Sequence, residues 1–264
     1  MEELALKNLQ IDNPAEGVLK VTVHRPEQLN ALDDETVAEI HRTFEAISRD
    51  SSIRVVIITG AGHKAFVAGA DIQQLARQDH DQALKRALAG QAAFDSVERC
   101  GKVVIAQVNG FALGGGCELA LACHLRYASS RAKLGLPEVT LGIIPGYGGT
   151  QRLQRIVGRG RALQMILTGD FVTAEAAFEM GLINGVEPPE HLEEKVMEIA
   201  ATLCKRGPVA LKLAIDAVLR GGDESQQQGM TIEAELFARI SETEDMREGM
   251  SAFLEKRPPE FRGQ

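Results

Sequence analysis

Two glutamates stand alone in apolar parts of the sequence, and residues of this type in such surroundings can do acid–base chemistry. Glu118 is the single charged residue between Val103 and Cys123, and Glu138 is the single charged residue between Leu134 and Thr150. An ionised carboxylate in apolar surroundings costs free energy unless hydrogen bonds or a helix dipole compensate. If both side chains face one cavity, their repulsion raises the pKa of one, which leaves an acid beside a base.

Each glutamate also has a purely structural interpretation. Glu118 closely follows Gly114-Gly115-Gly116 and could be an N-terminal helix residue that the dipole stabilises. Glu138 follows Pro137 and could be a partly exposed loop carboxylate. Taken singly, each carboxylate is explained equally well by structure and by catalysis. Two isolated carboxylates in two apolar segments together favour catalysis.

The glycine-rich segments allow several kinds of ligand site. Gly114-Gly115-Gly116 lies where a strand is expected to turn into a helix, and glycine there lets a ligand approach backbone N–H groups, although a tight turn would also use it. Gly60–Ala65 matches the GxGxxA form of the dinucleotide fingerprint. However, Gly69 stands where the phosphate-binding helix would begin and no strand ending in an acid follows near Asp79, so we set that interpretation aside. Neither GxxxxGK[ST] nor GxSxG occurs, so phosphoryl transfer and a serine nucleophile have no support.

Hydrophobic periodicity predicts the elements that position these residues. Val18–Val23 and Val55–Thr59 are predicted strands. The helix predicted between them, capped by Asp33 or Asp34, has apolar residues at helical spacing, namely Val37, Ile40, Phe44 and Ile47. Recurring strand–turn–helix units predict an α/β fold.

The next predicted strand and helix contain Glu118. Val103–Val108 is a predicted strand, Cys117–Arg126 a predicted helix, and a short strand is expected near Leu125–Ala128. Glycines interrupt the apolar stretch between Val103 and Cys123, so we interpret it as a buried strand and helix and not as a membrane span. After about Glu190 the pattern is helical throughout, which is typical of a packing or oligomerisation region.

Composition excludes several classes of protein. A net charge of −8 in 264 residues argues against broad binding to nucleic acid or anionic membranes, and the absence of Trp leaves no nucleic-acid stacking platform. The N-terminus has no apolar segment typical of a secretory signal, and we expect a cytoplasmic location. The cysteines show no CxxC spacing, so we expect reduced thiols and no zinc; they are Cys100, Cys117, Cys123 and Cys204.

Three motifs resemble those of the enoyl-CoA hydratase/isomerase (crotonase) family. The first is Ala65–Ile72 (AFVAGADI), the second is Asn109–Ala120 (NGFALGGGCELA), and the third runs from Leu136-Pro137-Glu138 to Ile144–Arg152 (IPGYGGTQR). The match extends nearly end to end, from Arg25–Leu32 to Arg247–Arg257. The sequence differs from the common family pattern at His124, where aspartate is usual, and at Leu136, where polar residues often occur.

The resemblance implies a fold, a reaction and a set of site residues. It implies a spiral of repeated ββα units over residues 1–190 and a helical region over residues 191–264 that forms trimers or hexamers and covers the active site. Glu118 and Glu138 would be the catalytic residues, typical of hydratases, and the backbone N–H groups of Ala70 and Gly115 the oxyanion hole. The expected contacts with substrate or coenzyme A are Ala68, Ala70, Asp71, Ile72, Gln73, Gly115 and Gly146.

The expected reaction is reversible hydration of a 2-enoyl-CoA to a 3-hydroxyacyl-CoA, in fatty-acid metabolism by default. We expect no metal and no separate cofactor, because coenzyme A is part of the substrate. Lys256, Arg257 and the basic residues between Arg152 and Arg161 could contact its phosphates, although solvated surface charge explains most of them. Two alternatives remain: an enoyl-CoA isomerase of the same family, and a non-catalytic scaffold that binds CoA esters or RNA.

Overall fold

Two sheets form the frame of the protein in the computed structural model, which describes residues 5–264 apart from the side chain of Gln73. The larger sheet has the strand order β1-β2-β3-β5-β7-β10, and the smaller has the order β4-β6-β8-β9. The ten strands among the described residues are β1 Leu9–Ala15, β2 Val18–Val23, β3 Val55–Gly60, β4 Ala65–Val67, β5 Val103–Val108, β6 Phe111–Leu113, β7 Leu125–Ser129, β8 Lys133–Gly135, β9 Val172–Thr173 and β10 Gly185–Glu187.

Eleven α-helices in the described part of the chain surround these sheets. They are α1 Asp34–Arg49, α2 Ile72–Leu75, α3 His80–Glu98, α4 Gly115–Ala122, α5 Gly149–Val157, α6 Arg159–Thr168, α7 Ala174–Glu179, α8 Leu192–Cys204, α9 Pro208–Gly222, α10 Gln226–Ile240 and α11 Glu244–Glu255. Short 3₁₀ helices lie at Pro26–Gln28 and Glu138–Leu141. No helix of residues 5–264 is long and apolar enough to cross a bilayer.

The strands and helices repeat as ββα units. In each unit one strand joins the larger sheet and the next joins the smaller sheet, and a helix follows: β3-β4-α3, β5-β6-α4 and β7-β8-α5. Strands β2, β3, β5, β7 and β10 of the large sheet are parallel, with Val55 opposite Val103 and Ile105 opposite Leu125, and β1 pairs with β2 in the antiparallel direction. The predicted α/β fold of repeated ββα units is confirmed. In all three units the chain leaves the carboxyl end of the large-sheet strand and continues into the next strand of the small sheet.

Alternation within the buried strands divides the core into two layers. Val56 and Ile58 of β3 face the main core, whereas Val55 and Ile57 point to the opposite face of the sheet. On that opposite face α8 packs through Leu192, Val196 and Ala200. Because both faces are covered, β3 and β5 are apolar at nearly every position, as expected for parallel strands.

Most predicted elements are observed, with one boundary in error. Val18–Val23 and Val103–Val108 are strands with the predicted bounds, and Asp33 caps α1 by accepting a hydrogen bond from the backbone N–H of Thr36 at 2.8 Å. The helix predicted over Cys117–Arg126 instead spans Gly115–Ala122.

The early end of α4 has a physical cause. Cys123 is extended, with φ −78° and ψ 151°, and Arg126 already belongs to β7. The buried Arg126 guanidinium donates hydrogen bonds to the carbonyl oxygens of Ala120 and Cys123, which satisfies acceptors that the helix end leaves unpaired. Arg126 also donates to the carbonyl oxygen of Leu182 at 2.8 Å. Arg126, which was predicted to lie within the helix, therefore caps the carboxyl end of α4.

Candidate active site

A cavity of about 1010 Å³ lies where the ββα units leave the carboxyl ends of the large-sheet strands. The turn after β4 contributes Ala68–Ala70 to its wall, the start of α4 contributes Gly114-Gly115, and the segment from Pro137 to Gly148 closes one side. Helix α3 forms a further wall. Both isolated glutamates, Glu118 and Glu138, line this cavity.

The start of α4 presents an unpaired backbone N–H group to the cavity. Gly114 has φ 50° and ψ −124°, a conformation that favours glycine, and no described side chain caps the helix. Gly115 is the first helical residue, so its N–H has no acceptor within the helix. A Cβ placed on Gly115 would lie 3.7 Å from the backbone nitrogen of Ala70, which brings these two peptides side by side.

The peptide of Ala70 is held in place by a short bridge to the segment before α1. The N–H of Leu32 donates to the carbonyl oxygen of Gly69, and the N–H of Asp71 donates to that of Leu32, both at 2.8 Å. These two bonds flank Ala70 and leave its own N–H outside the ladder. Among the described residues, neither the Ala70 nor the Gly115 N–H has an acceptor. The two groups can therefore bind one oxygen that develops negative charge.

Glu118 lies in the first turn of α4 and is 2% exposed. Its Oε1 accepts hydrogen bonds from the backbone N–H groups of Tyr147 and Gly149, each at 2.8 Å. Burial raises the pKa of Glu118 from 4.5 to about 7; the Gly149 N–H opposes the rise, and the Glu138 carboxylate adds to it. Hydrogen bonds to one oxygen leave Oε2 as the oxygen that can meet a ligand.

Glycine is required at position 149 because Glu118 lies directly against its backbone. A Cβ placed on Gly149 would be 2.8 Å from Glu118 Cγ, 2.9 Å from its Oε1 and 3.1 Å from Leu136 Cδ1. Real Cβ atoms do not approach the first two atoms this closely. The buried Leu136, one of the departures from the family pattern, thus packs beside the glycine that holds Glu118.

Glu138 begins the 3₁₀ helix that follows Pro137, and its side chain reaches back toward α4. Its Oε1 would lie 3.1 Å from a Cβ on Gly114, and its buried Oε2 has no hydrogen-bond partner in the part of the chain that the structure describes. Burial raises the pKa of Glu138 from 4.5 to about 7, opposed by a hydrogen bond from its own backbone N–H. An unpartnered buried carboxyl oxygen favours the neutral, protonated form. Glu138 is therefore suited to be an acid beside Glu118, whose charge the N–H groups of Tyr147 and Gly149 stabilise.

Arg152 fixes the loop that holds Glu118 relative to α3. Its guanidinium binds Glu98 through two nitrogens, at 2.8 and 3.2 Å, and Asp95 at 2.5 Å. It also donates to the carbonyl oxygen of Tyr147 at 3.2 Å. Both backbone groups of Tyr147 are therefore fixed. Its N–H donates to Glu118, and its carbonyl oxygen accepts from Arg152. From the sequence, Arg152 is predicted only as a surface cation or a possible phosphate ligand.

Small residues on α3 leave room for the aromatic ring in this wall. The Tyr147 ring lies against Gly90, where a Cβ would be 2.1 Å from the nearest ring atom. Phe94 contacts the same ring edge to face, with centroids 5.6 Å apart. Gly90 and Phe94 lie more than fifty residues before Tyr147, so no local sequence pattern predicts these contacts.

The other predicted ligand contacts occupy different positions. Ala68, Ile72 and Gly146 line the cavity, and Ile72 is 59% exposed. Asp71 lies beside the cavity, with its backbone held by Leu32. The side chain of Gln73 lies outside the described residues.

Two of the possible phosphate ligands pair with acids of this chain. Arg257 pairs with Glu248 at 2.6 Å and with Glu255 at 2.7 Å, and Arg155 pairs with Asp223 at 3.2 Å. His124, the other departure from the family pattern, accepts from the Val104 N–H through Nδ1 and faces the Glu98 carbonyl through Nε2. His124 therefore holds the core together and does not line the cavity.

Comparisons with known proteins agree with this architecture. The family model described as enoyl-CoA hydratase/isomerase matches residues 13–264. The chain is 43% identical to crotonyl-CoA hydratase of Syntrophomonas wolfei, over 98% of this chain and 99% of that protein. It is 45% identical to short-chain-enoyl-CoA hydratase of Clostridium acetobutylicum, over 91% and 92%. The crystal structure of an enoyl-CoA hydratase from Bacillus anthracis superposes with a TM-score of 0.94 at 41% identity, covering 98% of this chain and 100% of that one.

Proposed function

The chain belongs to the enoyl-CoA hydratase/isomerase family, and on that premise we propose that it is an enoyl-CoA hydratase, a hydro-lyase that adds water reversibly to a 2-enoyl-CoA. The observation that carries the proposal is the pair Glu118 and Glu138 in one cavity, beside two free N–H groups. Similarity to hydratases named for crotonyl-CoA and for short-chain enoyl-CoA favours a short-chain substrate.

Hydration requires a nucleophile at Cβ, a proton at Cα and stabilisation of the thioester oxygen. In our proposal the N–H groups of Ala70 and Gly115 bind the thioester oxygen as negative charge develops on it, and loss of one such donor typically costs ~10²–10³ in rate. Glu118 and Glu138 handle the two protons, and the product is the 3-hydroxyacyl-CoA. The carbonyl is regenerated when Cα accepts its proton, so no separate cofactor is needed.

The hydrogen bonds support a division of labour between the two glutamates. Two N–H donors on Oε1 favour the ionised form of Glu118, whose second oxygen would orient and deprotonate the water. The unpartnered Oε2 supports a protonated Glu138 that delivers its proton to Cα. Since both pKa values lie near 7 and the groups interact, the pair would hold one proton between them near neutrality.

Coenzyme A would enter past the turn after β4. We propose contacts with Ala68, Ala70, Asp71, Ile72 and Gln73 on one side of the thioester, with Gly115 and Gly146 opposite. The positions of Ala68, Ile72 and Gly146 on the cavity wall support this placement.

Two matched variants test the assignment. Glu118→Gln and Glu138→Gln preserve shape and remove the titrating group, so we expect each to fold, to bind a CoA ester and to hydrate crotonyl-CoA ~10²–10⁴ times more slowly. Glu190→Gln, an exposed change outside the cavity, serves as control. Near-native turnover by both variants would refute the roles. Assaying 3-enoyl-CoA beside 2-enoyl-CoA separates hydratase from isomerase, and tight CoA-ester binding without any turnover would favour the scaffold.

We also propose that residues 191–264 mediate self-association into trimers or hexamers, with residues 1–190 as the catalytic core. Support comes from four large apolar residues of helices α9–α11 that are each 74–82% exposed to solvent, namely Val218, Phe237, Phe253 and Leu254. Such exposure is uncommon on a monomer. Sedimentation of the wild-type protein tests this, and a stable monomer would contradict it.

A further inference from the structure

A second cavity, of about 160 Å³, lies at the opposite edge of the large sheet, where β3 and β5 begin. The start of α9 and residues 262–263 complete its wall. Among residues 5–264 no acidic side chain lines it, although the whole chain has a net charge of −8. Five of the lining residues are basic, and together we call them the basic cluster: Arg54, Lys102, Arg206, Lys212 and Arg262.

The basic cluster has no carboxylate partner within the described part of the chain. None of its five members forms an ion pair there, and Arg54 donates only to backbone carbonyl oxygens, those of Cys204 at 3.2 Å and Phe261 at 2.7 Å. Three acids lie nearby, and each already accepts hydrogen bonds, Glu248 from the Arg257 guanidinium and the Glu260 N–H. Asp50 accepts from the N–H and hydroxyl of Ser52, and Asp245 accepts from two backbone N–H groups of residues 262–263.

The cations of the cluster lie close enough to repel one another. The Lys212 side chain covers Gly101, with Cε 3.3 Å from the position a Cβ would take there. Burial lowers the pKa of Lys102; Asp50 partly opposes this, while Lys212 and Arg54 lower it further. Arg54 and Lys102 are partly buried, and like charges held together without an ion-pair partner are unfavourable, so a bound anion would lower that cost.

We propose that the basic cluster binds a small phosphate anion, orthophosphate or pyrophosphate, at a site separate from the catalytic cavity. Arginine forks and lysine ammonium groups are the side chains that bind phosphate oxygens best. The volume is below the ~300–1,000 Å³ of pockets for drug-sized ligands, which limits the occupant to a small anion. Helix α9 begins here with Pro208, and no side chain of the described residues caps it, so its positive end adds to the attraction even with Asp245 Oδ2 3.8 Å from the position a Cβ would take on Gly207. This site goes beyond the proposed hydratase reaction.

Calorimetric titration of the full chain with orthophosphate and with pyrophosphate, at constant ionic strength, tests the site. We expect the double variant Lys102→Gln/Lys212→Gln to bind at least ~10-fold more weakly than the wild type, because each lost contact to a charged group costs about a factor of ten. Lys133→Gln, an exposed lysine on β8 outside both cavities, is the matched control and should bind as the wild type does. Arg206→Gln, which removes an exposed cation, gives a milder second variant.

Turnover and thermal unfolding distinguish a separate site from an effect on the catalytic cavity. We expect the double variant to keep wild-type turnover of crotonyl-CoA and to unfold at a temperature no lower than that of the wild type, while pyrophosphate no longer raises that temperature as it does in the wild type. Unchanged phosphate affinity in both variants would overturn the proposal. Parallel loss of phosphate binding and turnover would also overturn it, since the basic cluster would then not be a site separate from the catalytic cavity. Either result leaves the Glu118 and Glu138 assays unaffected.

Discussion

Replacing Glu118 by glutamine should stabilise the protein at alkaline pH even as it removes catalysis. The folded state raises the pKa of this carboxyl from 4.5 to about 7, chiefly by burial. Between these two values the unfolded chain releases the proton and the folded chain retains it. Wild-type stability must therefore fall as the pH rises through this window. Glutamine keeps an oxygen for the N–H groups of Tyr147 and Gly149 and has no proton to lose.

The expected size follows from the two pKa values. Stability changes by ~1.4 kcal/mol per pH unit while one state alone binds the proton, so the full window corresponds to about 3 kcal/mol. The carboxyl is 2% exposed, so solvent screens little of this amount. The advantage of Glu118→Gln over the wild type should be small at about pH 4.5 and about 3 kcal/mol larger at about pH 8.

Urea unfolding at several pH values and one protein concentration measures this difference. The concentration is held fixed because association would otherwise change the apparent stability. Glu190→Gln, in an exposed turn, provides the control and should follow the wild type throughout. A difference between Glu118→Gln and wild type that stays constant from about pH 4.5 to about pH 8 would refute the assignment of a raised pKa.

Three further outcomes are expected. Gly149→Ala should displace the Glu118 side chain, whose Cγ would be 2.8 Å from the new Cβ, and lower turnover ~10²-fold while CoA-ester binding, measured by calorimetry, is retained. Gly116→Ala should fold poorly, with a loss of several kcal/mol in urea unfolding, because the Cβ would meet the Val67 carbonyl oxygen at 1.9 Å. The rate of hydration should be bell-shaped in pH and highest near pH 7, falling as both glutamates protonate below it and as Glu138 loses its proton above it; a rate independent of pH from about 5 to 9 would contradict the shared proton.

Local patterns predicted the buried elements well because burial on both faces leaves a continuous apolar run, as in Val103–Val108. They failed where a distant partner decides the structure. Helix α4 ends early because Arg126 turns back to cap it, and β1 was not predicted because most of its residues are exposed and it contains Pro14. Edge strands of this kind lack the alternation that marks a half-buried strand.

In the candidate site, too, local patterns predicted some features and missed those that depend on distant residues. Glu118 and Glu138 were visible as isolated charges in apolar segments, and Gly114–Gly116 as a helix start. The donors to Glu118 were not visible, because they come from residues 29 and 31 positions further along the chain. Arg152 likewise joins acids more than fifty residues away, so no local pattern could reveal its role.

The two N–H groups that bind Glu118 make its proton observable without any substrate. Each amide of Tyr147 and Gly149 donates to the same carboxylate oxygen, and a proton arriving on Glu118 must weaken both bonds together. In a nitrogen-resolved spectrum these two signals would move in concert with pH, and their midpoint would report the ionisation of the glutamate directly. Gly149, which is required for close packing against Glu118, therefore also supplies an amide signal that reports the ionisation state of that glutamate.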